Sequence, residues 1–272
     1  MTNLADITCV LTVYNGEQYV LDAIKSLQRQ SIRDVEILVV NDGSTDHTQK
    51  ILASIQDSRI RVIHLPRTGR AASLALACRE AKGCYIANLD ADDVSYPERL
   101  EKQAAFLDTH PDHAWVGCGE EREDSQRNES FSRTYPLDDA DIRRMAAKCI
   151  PYCHSAVMFR RSLLDEGLNY DPAQPFLIDF EFFLRVAARH KVANLPEPLV
   201  KRYVRNESYF QSHFSTARQN RRLALLCARA VKEFGLPPHY YLYPLARLIY
   251  PWLLNALKRR VRSGQGLAES HE

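Results

Sequence analysis

Five short apolar runs, beginning near residues 7, 35, 60, 84 and 114, constrain what this chain can fold into more than any other feature. Ile7–Val13 and Val35–Val40 read as buried parallel strands, and Ile60–Leu65, Cys84–Leu89 and Ala114–Cys118 as the third, fourth and fifth strands. Helical patterns fill the gaps. Asn15 with Gln18 forms a capping pair before Val20, Ala23, Ile24 and Leu27. Asp46 with Gln49 forms another before Ile51, Leu52 and Ile55. Ala71–Lys82 is rich in Ala and Leu and closes at Gly83, and Pro97 opens a helix that runs to Asp108. One helix per crossover predicts an α/β fold, a mostly parallel sheet with helices on both faces. Ligands of such sheets bind beyond the carboxyl ends of the strands. Three polar clusters fall there: Thr12–Asn15, Asn41–Ser44 and Asp90–Asp93.

The second half is less patterned. Residues 120–141 are polar with little periodicity and read as a loop. Ala156–Phe159 reads as a short strand and Phe180–Ala188 as a helix preceded by Asp179. Phe176, Phe180, Phe182 and Phe183 fit a core better than a sugar-stacking platform. After Thr216 two or three helices are expected, broken at Gly235-Leu-Pro-Pro238. With 36 basic and 34 acidic residues the net charge is +2, which excludes a generally basic nucleic-acid binder. The charge is uneven, however: residues 217–262 carry ten Lys/Arg against Glu233 alone. The seven cysteines include no C-x-x-C pair and read as reduced, buried thiols of a cytosolic protein. Ile7–Val13 is too short for a secretory h-region, and no stretch offers about 20 uninterrupted apolar residues.

Asn88-Leu-Asp-Ala-Asp-Asp93 carries the strongest chemical signal. Three carboxylates in four positions repel one another. Placed just after a strand, they are explained by a divalent cation, Mg²⁺ or Mn²⁺, which takes oxygen ligands and keeps substrate phosphates in its shell.

The run from Tyr85 through Asn88-Leu-Asp-Ala-Asp-Asp93 to Pro97-Glu-Arg-Leu100 resembles the family 2 glycosyltransferases of the GT-A fold. The likeness extends back through Thr12-Val-Tyr-Asn-Gly-Glu17 and Val39-Val-Asn-Asp-Gly-Ser-Thr-Asp46. It extends forward through His154-Ser-Ala-Val-Met-Phe-Arg-Arg161, Asp179-Phe-Glu-Phe-Phe-Leu-Arg185 and Asn194-Leu-Pro-Glu-Pro-Leu199. The resemblance implies a GT-A catalytic domain over 1–208, with a nucleotide-sugar-binding half (1–120) and an acceptor half (121–208). Residues 209–272 form a basic, helical extension. It implies transfer of a sugar, with inversion, from a nucleoside-diphosphate sugar to a sugar or lipid-linked sugar, in cell-surface polysaccharide or lipopolysaccharide assembly.

Residue by residue, the resemblance puts Thr12, Tyr14 and Glu17 at the nucleotide, Asp42 at the base edge and Asp90 toward the ribose. Asp92 falls on the metal and Asp179 at the catalytic base. Asn41 replaces the first acid of the usual pair, and Ile178 replaces the Glu that usually precedes the base. Leu74-Ala75 replaces a polar pair on the donor side, for which Arg67 or Arg70 is the substitute. His154, Tyr152 and Arg160 are weaker candidates beside the acceptor or diphosphate. A nucleotidyltransferase would carry a Gly-rich, basic loop after the first strand. Tyr14-Asn-Gly-Glu17 has neither feature. A non-catalytic binding module would have lost Asp92 or Asp179.

The tail has its own logic. Leu242, Leu245, Leu248, Ile249, Trp252, Leu253 and Leu257 recur at roughly helical spacing among Tyr and Trp, and Lys258, Arg259, Arg260 and Arg262 follow. This pattern predicts either an in-plane helix on an anionic membrane surface, and with it a peripheral enzyme on the inner face of the membrane, or an apolar face packed on the catalytic domain or a second subunit. Pro244 and Pro251 oppose a continuous helix.

Overall fold

The computed structural model describes residues 7–124, 129–204 and 217–249. Two compact units result: residues 1–143 with 150–205, and residues 144–149 with 206–272.

The first unit is built on one mixed sheet. Its strands are β1 (Ile7–Val13), β2 (Val35–Asp42), β3 (Ile60–Leu65), β4 (Tyr85–Asn88), β5 (Asp93–Ser95), β6 (His113–Asp124), β7 (Glu129–Arg133), β8 (Met158–Arg160) and β9 (Lys191–Val204). They lie in the order β3-β2-β1-β4-β8-β6-β9-β5, with β7 added on β6. The first four neighbours are parallel, in the register Cys9↔Ile37 and Cys9↔Ala87. β8 runs antiparallel between β4 and β6, and β5 runs antiparallel to β9. The helices are α1 (Val20–Gln28), α2 (Thr48–Ser54), α3 (Arg70–Glu80), α4 (Arg99–Thr109), α5 (Asp139–Ala146) and α6 (Ile178–Ala187).

Both faces of the sheet are covered. Cys9, Leu11 and Val13 cluster with Ile37 and Val39, with Ile24 and Leu27 of α1, and with Leu100 and Leu107 of α4. The alternate residues Val10, Leu38 and Val40 are buried as well. Each fully buried Val, Leu or Ile contributes roughly 1.5–3 kcal/mol. Trp115 stacks on Phe159 and meets Phe182 and Phe183 edge-on, so Phe180, Phe182 and Phe183 are core.

Several local expectations are corrected. Asn15 and Asp46 do not cap α1 and α2 as N-cap residues; Tyr19 and His47 hold those positions. Asp46 still accepts from Thr48 N at 3.0 Å, inside the α2 start, and from Glu17 N at 3.1 Å. Residues 120–141 are not a plain loop, because β6 continues to Asp124 and pairs with β7. Charged residues are compatible with a strand here since β7 is an exposed edge. The predicted fifth strand does not sit beside the fourth, because β8 enters between them. Asp179 is not the cap of α6; Leu177, at φ 55°, takes that place and Asp179 lies inside the first turn.

In the second unit α7 (Ala217–Glu233) is followed by a break and a short 3₁₀ turn at Pro238–Tyr241. Residues 242–249 are helical. Lys148 Nζ lies 4.6 Å from the Tyr243 ring centre, and Arg247 donates to Lys148 O at 3.0 Å. Leu242, Tyr243, Leu245, Leu248 and Ile249 are exposed. Trp252 through the basic cluster at 258–262 lies outside the described residues.

Candidate active site

The three polar strand ends and the first turn of α6 form three linked sites in the first unit. The first is organised by Asp42, the last residue of β2, which is 2% exposed. Its Oδ1 accepts from Thr68 N at 2.7 Å and Thr68 Oγ1 at 2.9 Å, and its Oδ2 from Gly69 N at 3.0 Å and from Arg67. A carboxylate at the start of α3 supplies the anionic cap that Gly69 lacks. The turn can close this tightly because Gly43 sits at φ +71° and a Cβ there would meet Arg67 N at 2.6 Å. Arg67, fixed by Asp42, lies over the Tyr14 ring at 3.7 Å from its centre, a cation–π contact on an exposed aromatic. Thr12 is half-buried at the end of β1. The β1 and β2 loops are clamped through Asn15, whose Oδ1 accepts from Thr45 N at 2.8 Å and whose N donates to Ser44 Oγ at 3.0 Å. Asn15 holds φ 50° to do so. Glu17, in the same loop as Tyr14, bonds the start of α2. Its Oε2 accepts from His47 N at 2.8 Å, with His47 Nδ1 at 2.9 Å, and these bonds lower its pKa.

The second site lies at the end of β4. Arg70, the first residue of α3, donates through Nη2 to Asp90 Oδ1 at 2.6 Å and to His154 Nδ1 at 3.0 Å. Asn88 Nδ2 also points at His154 Nδ1, at 3.2 Å. Two donors make Nδ1 an acceptor, so the ring proton is assigned to Nε2, which faces Tyr170 Oη at 3.0 Å. Burial opposes ionisation of Asp90, but the Arg70 guanidinium beside it outweighs that and holds the carboxyl well below the usual range. Burial likewise opposes the Arg70 charge; Asp90, Asp179 and Asp92 together raise its pKa above the ordinary value. Beneath this site Arg99, fully buried, donates to Asn88 O at 2.7 Å and Val157 O at 3.1 Å and so ties β4 to β8.

The third site is Asp179 in the first turn of α6, half-buried, with Tyr152 Oη 3.4 Å from Oδ2. Arg70 connects it electrostatically with Asp90 and Asp92.

A divalent cation was tested against the residues present. Asp92 is a half-buried oxygen donor, and Asp90 commits Oδ1 to Arg70. Among the described residues no group of three His, Cys, Asp or Glu side chains could hold a metal alone. An all-oxygen, incomplete set fits Mg²⁺ or Mn²⁺, which complete their shells with substrate phosphate and water. Cys9, Cys78, Cys118, Cys153 and Cys227 are buried and free, and burial pushes the Cys9 thiol up to about 12; against the expectation of buried thiols throughout, Cys84 is exposed and Cys149 half-buried.

Sequence reasoning named Thr12, Tyr14, Glu17, Asp42, Arg70, Asp90, Asp92 and Asp179; Thr12, Tyr14, Asp42 and Asp90 lie at or just past the ends of β1, β2 and β4, and the Arg70 charge is felt by Asp90, Asp92 and Asp179. It did not single out Tyr170, Ser155 or Arg202. The motif beginning at His154 contains Ser155 and could have flagged it. Arg202 lies in β9, and only strand pairing brings it to Asp93.

A mixed sheet whose parallel half ends in an acid turn after β4, with a carboxylate on α6, has the fold of the GT-A glycosyltransferases. The glycosyl transferase family 2 model matches residues 8–168, and the chain belongs to that family. The putative glycosyltransferase EpsE of Bacillus subtilis is 31% identical over 255 residues, 90% of either chain. The amylovoran biosynthesis glycosyltransferase AmsE of Erwinia amylovora is 27% identical over 71% of this chain and 74% of its own. Among solved structures, S. aureus TarS 1–349 in complex with UDP-GlcNAc superposes with a TM-score of 0.70 at 20% identity, over 90% of this chain and 71% of that one. The mannosyltransferase PcManGT of Pyrobaculum calidifontis, in complex with GDP-Man and Mn²⁺, superposes with a TM-score of 0.69 at 18% identity, over 97% and 76%.

Proposed function

We propose that this enzyme moves a sugar from a nucleoside-diphosphate sugar to an acceptor hydroxyl and inverts the anomeric carbon. The observation that carries the reading is Arg70, bonded to Asp90 and held in the combined field of Asp90, Asp92 and Asp179. It joins a donor-side acid pair to a carboxylate able to act as base. Thr12, Tyr14 and Asp42, with the Arg67 that Asp42 holds, bind the base, and Glu17 stabilises the adjoining loop. Asp90 and Arg70 take the ribose and diphosphate side. The donors bound by TarS and PcManGT support this class of substrate.

Departure of a nucleoside diphosphate leaves negative charge on the leaving oxygen. Mg²⁺ or Mn²⁺ held by Asp92 supplies Lewis-acid stabilisation of that charge when bound. Arg70 adds a fixed positive charge on the same side. Asp179 takes the proton of the acceptor hydroxyl as the new bond forms, help worth about 10²–10⁴-fold. Tyr152 orients it. Attack from the side opposite the leaving group inverts the centre.

The acceptor is a sugar or lipid-linked sugar in cell-surface polysaccharide assembly, a reading that the name of AmsE supports. The catalytic domain spans 1–208, with its acceptor half from 121, and 209–272 is the basic C-terminal region that contains α7. No helix among the described residues is long and apolar enough to cross a membrane. The exposed Leu242, Leu245, Leu248 and Ile249 beside Arg247 favour peripheral attachment at the cytoplasmic face of an anionic membrane. Thermal shift with UDP-, GDP- and dTDP-sugars, with and without Mn²⁺, tests the donor reading. One nucleotide class should raise Tm in a Mn²⁺-dependent way; no shift with any of them refutes it.

A further inference from the structure

The acid run Asp90-Ala-Asp-Asp93 contains two kinds of carboxylate. Asp90 is 20% exposed at its side chain and Asp92 is half-buried, whereas Asp93 is 3% exposed. Asp93 folds back beneath the turn. Its N donates to Asp90 O at 3.1 Å, and its Oδ2 accepts from Ser155 Oγ. That same hydroxyl accepts from Asp90 N at 3.3 Å. The ring closed through Ser155 ties the two ends of the turn together.

A guanidinium reaches Asp93 from across the sheet, against burial and the neighbouring Asp92 and Asp90, which raise the Asp93 carboxyl to about 8. Asp93 and Arg202 are direct partners in the β5–β9 ladder. Arg202 Nε lies 3.4 Å from Asp93 Oδ2, and its Nη1 lies 3.1 Å from Glu120 Oε2. Glu120 is fully buried and anchored in turn by Arg122 Nη2 at 2.6 Å and by Tyr135 Oη. One guanidinium therefore sits between two buried acids, one of them at the foot of the acid turn. Removing one partner of a buried ion pair leaves an uncompensated charge, which either takes up a proton or pulls its surroundings toward water. Here those surroundings are the Ser155 bridge and the Asp90 backbone.

We propose that Asp93 is the foot of the acid turn and no ligand of the metal, and that Arg202 in β9 is a positioning residue. It keeps Asp90 and Asp92 aimed at a divalent cation and its diphosphate. This inference rests on the metal-dependent donor reading above and adds a residue that no motif at the strand ends contains.

The test is direct Mn²⁺ binding, read by electron paramagnetic resonance at a fixed concentration of UDP, GDP or dTDP. The wild-type chain is compared with Asp92→Asn, Asp93→Asn, Arg202→Met and Arg202→Lys. Asp92→Asn should abolish binding. Asp93→Asn, which can still accept from Ser155 and leaves Arg202 paired with Glu120, should bind within about 3-fold of wild type. Arg202→Met should weaken Mn²⁺ by about 10-fold, the low end for loss of an outer-sphere support. Arg202→Lys, which keeps a charge between the two acids, should recover most of that loss. Loss of binding in Asp93→Asn as severe as in Asp92→Asn would make Asp93 a ligand and overturn the proposal. Wild-type affinity in Arg202→Met would overturn the positioning role, and if that variant does not fold, Arg202→Lys and Asp93→Asn still decide. A wild-type chain that binds no Mn²⁺ with any nucleotide overturns the metal reading itself, and this one with it.

Discussion

Replacing Glu120 with glutamine tests the charge network beneath the acid turn. Glu120 is fully buried, yet its pKa is lowered from 4.5 to about 2. Burial pushes it up, and Arg202, Arg122 and the Tyr135 hydroxyl outweigh that. A folded pKa below the unfolded one gives stability that is present above the unfolded value and is lost as pH falls toward the folded value. A gap of about 2.5 units corresponds to about 3 kcal/mol at neutral pH. Glu120→Gln removes the charge but keeps an acceptor, so about 3 kcal/mol is also the expected destabilisation, in line with a broken buried pair. For a chain of this size Tm should fall by about 6–10 °C. The assay is urea unfolding of both proteins near neutral pH and again at about pH 3, where the difference should shrink to about 1 kcal/mol because the carboxyl of the unfolded wild-type chain has by then taken up its proton. A difference that stays constant between the two pH values, or one well under about 1 kcal/mol at neutral pH, would refute the reasoning.

Asp179→Asn should lower kcat by about 10²-fold or more while donor affinity holds; turnover near the wild-type rate would limit Asp179 to a structural part in the first turn of α6. Chelation by EDTA should abolish transfer and added Mn²⁺ or Mg²⁺ should restore it, whereas Asp92→Ala should stay inactive at any metal concentration. Leu245→Glu with Leu248→Glu, both at exposed positions, should release the full chain from anionic liposomes in co-sedimentation, and high salt should weaken wild-type binding. Equal pelleting of variant and wild type would place the anchor elsewhere.

Much of this enzyme was decided locally. Ile7–Val13 and Val35–Val40 are strands because a parallel strand covered on both faces must be largely apolar, and that leaves a continuous run in the sequence, whereas the edge strand Ile60–Leu65 is only half-buried and carries Arg61 and His64. Asp90 and Asp92 were legible for the opposite reason, since charge has no place at the end of an apolar strand unless something there compensates it. The fold tightened some of these readings. Asp42 was expected to face the donor, and its carboxylate holds Thr68, Gly69 and Arg67 in place, leaving Arg67 beside Tyr14 as the exposed charge. The insertion of β8 between β4 and β6, the β6–β7 hairpin in a polar stretch, and the pairing of Asp93 with Arg202 lie beyond any local pattern. Strand order and cross-strand register are set by which surfaces can be buried together, and that is a property of the whole chain. Charge compensation follows register, so an acid's sequence neighbours show where repulsion arises, and only the folded sheet decides which cation relieves it.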